Sequence, residues 1–291
     1  MRDGLPLASL LSGAERRLAA AGLPEPRREA LRLWAEPRGA RPAAAWLARG
    51  QQVGAADAAS FTERVARRAA GEPLAYVTGS AGFRRLELLT DRRALIPRPE
   101  TEGLVDLALE LAPVGCAADV GTGTGCIALS LALEGRYDLV VGIDRLPAAL
   151  ALAAQNRDLV ARSAGGGHRP RARFVRGDLT APLGAGSLDL LVSNPPYLTE
   201  AEWRDLEPNV KDWEPAEALV GGADGLDAAR ALLADGRRVL KPGGWLALEI
   251  DASRAARTAS LARDLGWFEV AVRLDLFGRE RYLLARRSEG S

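Results

Sequence analysis

Across residues 5–71 the apolar positions recur at helical spacing, and no stretch alternates with period two. Leu7, Leu10, Leu11, Leu18 and Leu23 share one side of a first helix, with Glu15, Arg16 and Arg17 on another. Gly22 and Pro24 stop it. Residues 27–35 predict a second helix, 43–48 a third, and the stripe Phe61, Val65 and Ala69 a fourth that ends at Gly71. The arginines of this region read as a solvated helix face. The pattern changes at Glu72. Residues 74–79 and 83–88 have β character, with Gly79 and Gly82 supplying a turn, so a short hairpin is expected. Prolines then hold Ile96-Pro97-Arg98-Pro99 extended, and Glu100 or Thr101 is placed to cap a helix over 103–112.

Beyond Cys116 short apolar runs alternate with helical stretches. Strands are expected at 117–120, 139–144, 172–175, 188–192 and 245–250, with helices at 126–133, 147–159, 225–240 and 254–265. Two last strands, 268–274 and 281–285, close the chain. This alternation predicts an α/β fold: a mainly parallel seven-stranded sheet with a closing antiparallel hairpin, behind a small all-α N-terminal domain. The expected boundaries are 1–72 for the helical domain, 73–96 for a β-hairpin linker and 97–291 for the α/β domain. Residues 199–225 form a loop too long to be filler.

Composition narrows the function classes only a little. With 47% apolar and 26% charged residues, the chain can build an ordinary core. A net charge of +1 argues against a dedicated nucleic-acid binder, so no stable nucleic-acid partner is expected. Cys116 and Cys126 are the only cysteines and His168, in Gly165-Gly166-Gly167-His168, the only histidine, so no metal is expected. Cys116 precedes the first sheet strand and Cys126 begins the helix after it, which speaks against a disulfide. Met1-Arg2-Asp3-Gly4 lacks the basic and apolar parts of a leader, and no window resembles a membrane span. A cytoplasmic, reduced monomer with no membrane partner is expected.

The candidate chemistry begins at Gly121-Thr122-Gly123-Thr124-Gly125, between a strand and a helix. Strand, glycine-rich turn, helix, strand and acid is a nucleotide-binding arrangement, although the pattern alone is weak. Cys126 stands where a dinucleotide fingerprint wants a third glycine or alanine. The tight spacing of Gly121, Gly123 and Gly125 suits a nucleoside without a pyrophosphate. Asp144, at the tip of the next strand and about 20 residues on, is placed to accept both ribose hydroxyls. Asp178, ending the third strand, could accept from an adenine amino group, and Asp119 could orient the glycine turn.

Ser193-Asn194-Pro195-Pro196-Tyr197 follows the fourth strand. Two prolines cannot continue a central strand, so this is a stiff, extended segment at a strand's C-terminal end, where open α/β sheets hold ligands. A phosphate-free adenosine site above such a cleft suggests S-adenosyl-L-methionine, with S-adenosyl-L-homocysteine as product. The methyl is already activated by its sulfonium. The protein must hold an acceptor nitrogen in line with it and exclude water. The Asn194 side-chain oxygen and the Pro195 carbonyl could accept two N–H hydrogens of a planar amine or carboxamide, and Tyr197 could pack against its plane.

Several further segments complete a recognisable set: Gly71-Glu72-Pro73-Leu74-Ala75-Tyr76, Leu95-Ile96-Pro97-Arg98-Pro99-Glu100-Thr101-Glu102, Asp212-Trp213-Glu214-Pro215, Gly221-Gly222-Ala223-Asp224-Gly225-Leu226 and Lys241-Pro242-Gly243-Gly244. With 119–125 and 193–197, these resemble the HemK/PrmC family in matching order over about residues 72–285. The resemblance implies a class I, Rossmann-like methyltransferase that acts on the side-chain amide nitrogen of the glutamine in the Gly-Gly-Gln loop of class-1 peptide-chain release factors, and so modulates translation termination. The helical domain would help to dock that partner. Cofactor contacts carry over to Gly121, Thr122, Gly123, Thr124, Gly125, Asp144 and Asn194, and substrate contacts to Asn194, Pro195, Pro196 and Tyr197. Residues 98–101 would lie near the cofactor. Leu179 stands where some relatives have an aromatic near the adenine, so an apolar contact is expected there. Asp251 replaces a glycine common in relatives, which puts contacts at that strand tip in doubt.

The alternatives stay close by: a glutamine of a ribosomal protein, or the exocyclic amine of a DNA adenine. A DNA enzyme would need a basic recognition region and a base-flipping pocket. Residues 199–227 are instead acidic, with Glu200, Glu202, Asp205, Glu207, Asp212, Glu214, Glu217 and Asp224 against Arg204 and Lys211. This acidic collar is expected to receive a basic substrate loop, with Glu202 and Glu207 in the lead. A dinucleotide-dependent oxidoreductase and a non-catalytic binding module fit the glycine turn less well.

Overall fold

The computed structural model describes residues 4–163 and 170–290. His168 and the glycines before it lie outside the described residues, as do Met1 to Asp3. The chain divides into two compact units, Met1–Ser80 with Glu207–Trp213, and Ala81–Leu206 with Glu214–Ser291.

The first unit contains the two-residue strands β1 (Leu5–Pro6) and β2 (Gln52–Val53) and the helices α1 (Leu7–Ala20), α2 (Pro26–Ala35), α3 (Pro42–Leu47), α4 (Ala55–Ala69) and α5 (Leu74–Thr78). Pro26 and Pro42 each occupy the first helical position, where a missing N–H costs nothing. Leu7, Leu18, Leu33, Phe61 and Val65 form the core, and Trp34 meets Phe61 edge-on with ring centroids 5.4 Å apart. Three sequence expectations change here. β1 and β2 pair antiparallel within a stretch expected to be wholly helical. Arg68, expected on a solvated face, is buried against Glu29 at 2.6 Å. Residues 74–79, expected as a strand, form α5. Pro73 opens that turn, the Thr78 hydroxyl donates to the Leu74 carbonyl at 3.0 Å, and Gly79 ends it in the left-handed region.

The hairpin is made instead by β3 (Ser80–Phe83) and β4 (Leu86–Leu89), and its turn is Arg84-Arg85 rather than the glycines. Arg84 takes a left-handed φ of 53°. Its guanidinium pairs with Glu134 at 2.8 Å and with Asp106 at 2.7 Å, which holds that conformation.

The remaining elements are α6 (Pro99–Leu111), β5 (Val114–Val120), α7 (Cys126–Glu134), β6 (Arg136–Asp144), α8 (Pro147–Ser163), β7 (Ala172–Arg176), β8 (Leu188–Ser193), α9 (Glu200–Arg204), α10 (Pro208–Lys211), α11 (Asp227–Val239), β9 (Leu240–Glu249), α12 (Ala255–Asp264), β10 (Phe268–Leu274) and β11 (Glu280–Arg286). The seven-stranded sheet runs β10-β11-β9-β8-β5-β6-β7, with β11 antiparallel to both neighbours and the other pairs parallel. Its strands are apolar on both faces because both are covered. Ala117, Leu190 and Val192 pack with α6 and α7, while Ala118, Leu191 and Leu248 pack with α11 and α12. Cys116 lies within β5 rather than before it, and both cysteines are free. Among the described residues no helix is long and apolar enough to cross a membrane.

Candidate functional site

β5 has β6 on one side and β8 on the other, and the chain reverses its direction of winding there. Such a switch point leaves a crevice at the C-terminal strand ends. A cavity of about 400 Å³ occupies it, within the size range of small-ligand sites. Its walls come from the glycine turn after β5, from Asp144 to Leu146 after β6, from Gly177 to Leu179 after β7, and from Asn194 and Pro196 after β8. Residues 93–98 with Thr101, and parts of 215–228, complete it.

The glycine turn is tied down from beneath. Asp119 is fully buried, and its Oδ2 accepts from the Thr122 hydroxyl at 2.7 Å and from Ala128 N at 3.1 Å. Burial pushes its carboxyl up to about 7, further helped by the charge of Asp144 and opposed by those two hydrogen bonds. Asp144 accepts from Gly123 N at 3.0 Å and from Leu146 N at 2.9 Å, so it braces the turn as well as facing the cavity. Gly121 has φ +73° and an added Cβ would meet no atom within 4 Å, so the turn presents bare backbone beside open space. Asn156 is a part of this half that the sequence did not reveal. Fully buried, it donates to the Thr124 carbonyl at 2.9 Å and bonds both backbone groups of Leu89.

The other half is built around Asn194. Its Nδ2 donates to Thr101 Oγ1 at 3.0 Å, and the Thr101 hydroxyl donates to Glu249 Oε2 at 2.7 Å. Thr101 does not cap a helix starting at Gly103. α6 starts four residues earlier because Pro99 is suited to its first position, which turns Thr101 inward. Glu249 ends β9, is 2% exposed, and is pushed up to about 7 by burial against the opposing Thr101 hydrogen bond. Burial first, then Glu249, pushes the Tyr197 phenol up to about 12. The Leu198 amide donates to the Leu219 carbonyl and the Gly221 amide to the Leu198 carbonyl, clamping the loop from behind. Buried Glu214 accepts from Arg98 at 2.6 Å and from Ile96 N at 3.1 Å, which fixes the proline strip on the cavity wall.

The cavity thus brings together Gly121, Thr122, Gly123, Thr124, Asp144, Asp178, Leu179, Asn194 and Pro196. Gly125, Pro195 and Tyr197 lie outside its lining. Gly125 instead precedes α7, where a Cβ would press on Phe174, Ala153 and Leu129, and Pro195 is buried. Part of the acidic collar is paired internally: Glu200 meets Arg204, and Glu214 meets Arg98. Glu202 caps α9 with Thr199 and pairs with Arg254 at 2.6 Å, and Asp224 pairs with Arg230 and Arg257. Asp251 accepts from Ser253 N at 2.9 Å and pairs with Arg254, so its carboxylate serves its own turn.

A chain with this cavity is 43% identical to the release factor glutamine methyltransferase of Nitratidesulfovibrio vulgaris over 97% of its length and 95% of that protein. It is 40% identical to the release factor glutamine methyltransferase of Deinococcus radiodurans, over 98% and 100%. The chain belongs to the release factor glutamine methyltransferase family. The family models that match are the PrmC N-terminal domain over residues 9–79 and the methyltransferase small domain over 103–206. The fold recurs in the crystal structure of a methyltransferase from Pyrococcus furiosus, at a TM-score of 0.53 and 19% identity over 78% of this chain and 100% of that one. Membership in this family and fold implies use of S-adenosylmethionine, and the residues present fit it: a bare glycine turn, carboxylates at the strand ends, and a cavity of nucleoside size.

Proposed function

We propose that this protein methylates the side-chain amide nitrogen of the glutamine in the Gly-Gly-Gln loop of class-1 peptide-chain release factors. One observation carries the chemistry. One N–H of the Asn194 amino group goes to Thr101, which fixes the nitrogen end there and leaves the oxygen end of this cavity-lining carboxamide to accept from a substrate. S-adenosylmethionine supplies a methyl group activated by its sulfonium. The backbone of Gly121 to Thr124 with Asp144, Asp178, Leu179 and Asn194 would hold it. Asn194 Oδ1 and the Pro195 carbonyl accept the two N–H hydrogens of the substrate amide, which fixes the nitrogen and turns its lone pair toward the methyl. Pro195 and Pro196 keep those oxygens stiffly placed, and Tyr197 supports the amide plane. A phenol held near 12 stays neutral, so Tyr197 contributes shape and not charge. The charge that develops on nitrogen meets the two oxygens, and the proton can leave to water. The helical N-terminal segment assists in docking the release factor.

Family membership over nearly the whole chain supports this substrate over a ribosomal protein or DNA. Labelled S-adenosylmethionine incubated with release factors, and with variants whose Gly-Gly-Gln glutamine is alanine, provides the test. Label on the native factors alone is expected; label on a ribosomal protein or on DNA instead would overturn the assignment.

A further inference from the structure

A carboxamide can turn either end to a cavity, and only the oxygen end accepts. For Asn194 that choice is made outside its own loop. A threonine hydroxyl has one proton to give. While Glu249 is a carboxylate it can only accept, so the Thr101 proton goes to it and the Thr101 oxygen is left to accept from Asn194 Nδ2. A protonated Glu249 can donate to Thr101, which frees the threonine proton to turn toward Asn194. A flipped carboxamide, with Oδ1 on Thr101 and the amino group at the cavity, is then equally satisfied. It would meet the N–H groups of a substrate amide with N–H groups of its own.

We propose that Glu249, acting through Thr101, is a positioning residue that selects the accepting orientation of Asn194. This rests on the amide-methylation function above, because only a donor substrate needs the oxygen end. The placement supports it. Thr101 and Glu249 are each 2% exposed, Glu249 is not part of the cavity wall, and the two come from the first turn of α6 and the end of β9. Arg281 from β11 and Arg98 ahead of α6 favour the Glu249 carboxylate, whereas Glu100 opposes it. Tyr197, Tyr282 and Cys126 are the other titratable side chains that sense it. Burial outweighs both arginines and leaves the group titrating at about 7, so the orientation is set by pH near neutrality.

The test uses the full-length protein, a purified release factor and the variants Glu249→Gln, Thr101→Val and Thr101→Ser. Wild-type kcat is expected to fall as pH drops through about 7, since the ionised form of a group with a raised pKa is lost below that value. Thr101→Val should lower kcat about tenfold with KM for the release factor within about twofold, because the docked protein surface, not one amide, sets KM. Thr101→Ser should restore it. Glu249→Gln can donate or accept in either state, so its kcat should be lower and flat across this range. Asp119, which also titrates near 7, lies under the glycine turn and should affect KM for S-adenosylmethionine rather than kcat. A second readout is independent of turnover. Asn156, Asn194 and Asn209 are the only asparagines, so asparagine-selective ¹⁵N labelling resolves the Asn194 amide. Its side-chain resonances should move with pH in the wild type and stay still in Glu249→Gln, with S-adenosylhomocysteine affinity by calorimetry unchanged. Normal kcat in Thr101→Val, or an Asn194 signal that titrates unaltered in Glu249→Gln, would overturn the proposal. If release factors take no label while the Asn194 signal still follows Glu249, the substrate assignment fails and the positioning role stands.

Discussion

The two halves of the cavity are held by different means. Around the glycine turn most bonds are local: Asp119 reaches Thr122 across 3 positions and Ala128 across 9, and Asp144 reaches Gly123 across 21, while the Asn156 brace reaches Thr124 across 32. Around Asn194 they are distant: 93 positions separate it from Thr101, and 148 separate Thr101 from Glu249. The turn is therefore nearly complete once β5, α7 and β6 have formed and α8 has brought up Asn156. The Asn194 side is correct only after β9 has paired with β8 and α6 has packed on the sheet face they share. A local error should thus impair cofactor binding, and a distant one should impair the transfer step.

Gly221→Ala should separate the halves most sharply. Its Cβ would lie 2.2 Å from the Pro196 carbonyl oxygen, so the loop carrying Asn194 must move. We expect kcat/KM to fall about a hundredfold, roughly 2.7 kcal/mol of transition-state stabilisation, with a much smaller fall in S-adenosylhomocysteine affinity by calorimetry, because the glycine turn stays in place while Asn194 moves. An equal loss in both measurements would break the distinction. Asn194→Ala removes one acceptor and leaves the loop in place. Its kcat should drop at least about tenfold, and near-normal turnover would rule out the orienting role.

On the local side the informative measurement is stability against pH. The buried Asp119 carboxyl titrates at about 7, so between the ordinary carboxylate range and about 7 the folded chain keeps a proton that the unfolded chain has lost. Stability from this group is full at low pH and fades as pH rises to about 7. Denaturant midpoints at about pH 5 and pH 8 should therefore differ less in Asp119→Asn than in wild type. Glu249 titrates in the same window, so part of the wild-type slope should persist. An unchanged slope would mean that Asp119 is ionised in the fold. Glu202→Gln should have the smallest effect. Its link to Arg254 spans 52 positions, yet the Glu202 side chain is 43% exposed, so water screens the pair from that side. A loss of about 0.5–1 kcal/mol, read as a small drop in melting temperature, is expected, with KM for release factors unchanged. Sequence distance alone does not decide how much a contact matters; burial does.

The legible parts of the site follow the same division. Gly121, Gly123, Asp144 and Asn194 could be picked out because their roles depend on backbone freedom and strand-end position, which short patterns record. Residues 74–79 carry β-branched and aromatic side chains that suit a strand, yet they pack as a helical turn once Pro73 starts it. Thr101 passed for a helix cap because its true partners are far away in the chain. Glu249 and Asn156 gave no signal. Glu249 is a single polar residue within an apolar run and Asn156 stands among the polar residues Gln155, Arg157 and Asp158, so only burial reveals that each must be bonded to something.

Alternation of short apolar strands with helices, together with the stops set by glycine and proline, determined the α/β order and the positions of the glycine turn and the Asn194 loop. Those are properties of neighbouring residues, fixed by backbone sterics and period. The tertiary structure decided which end of the Asn194 carboxamide is held, because the hydrogen bonds that run from Asn194 to Thr101 and from Thr101 to Glu249 exist only where β8, β9 and α6 meet in a buried, low-dielectric place.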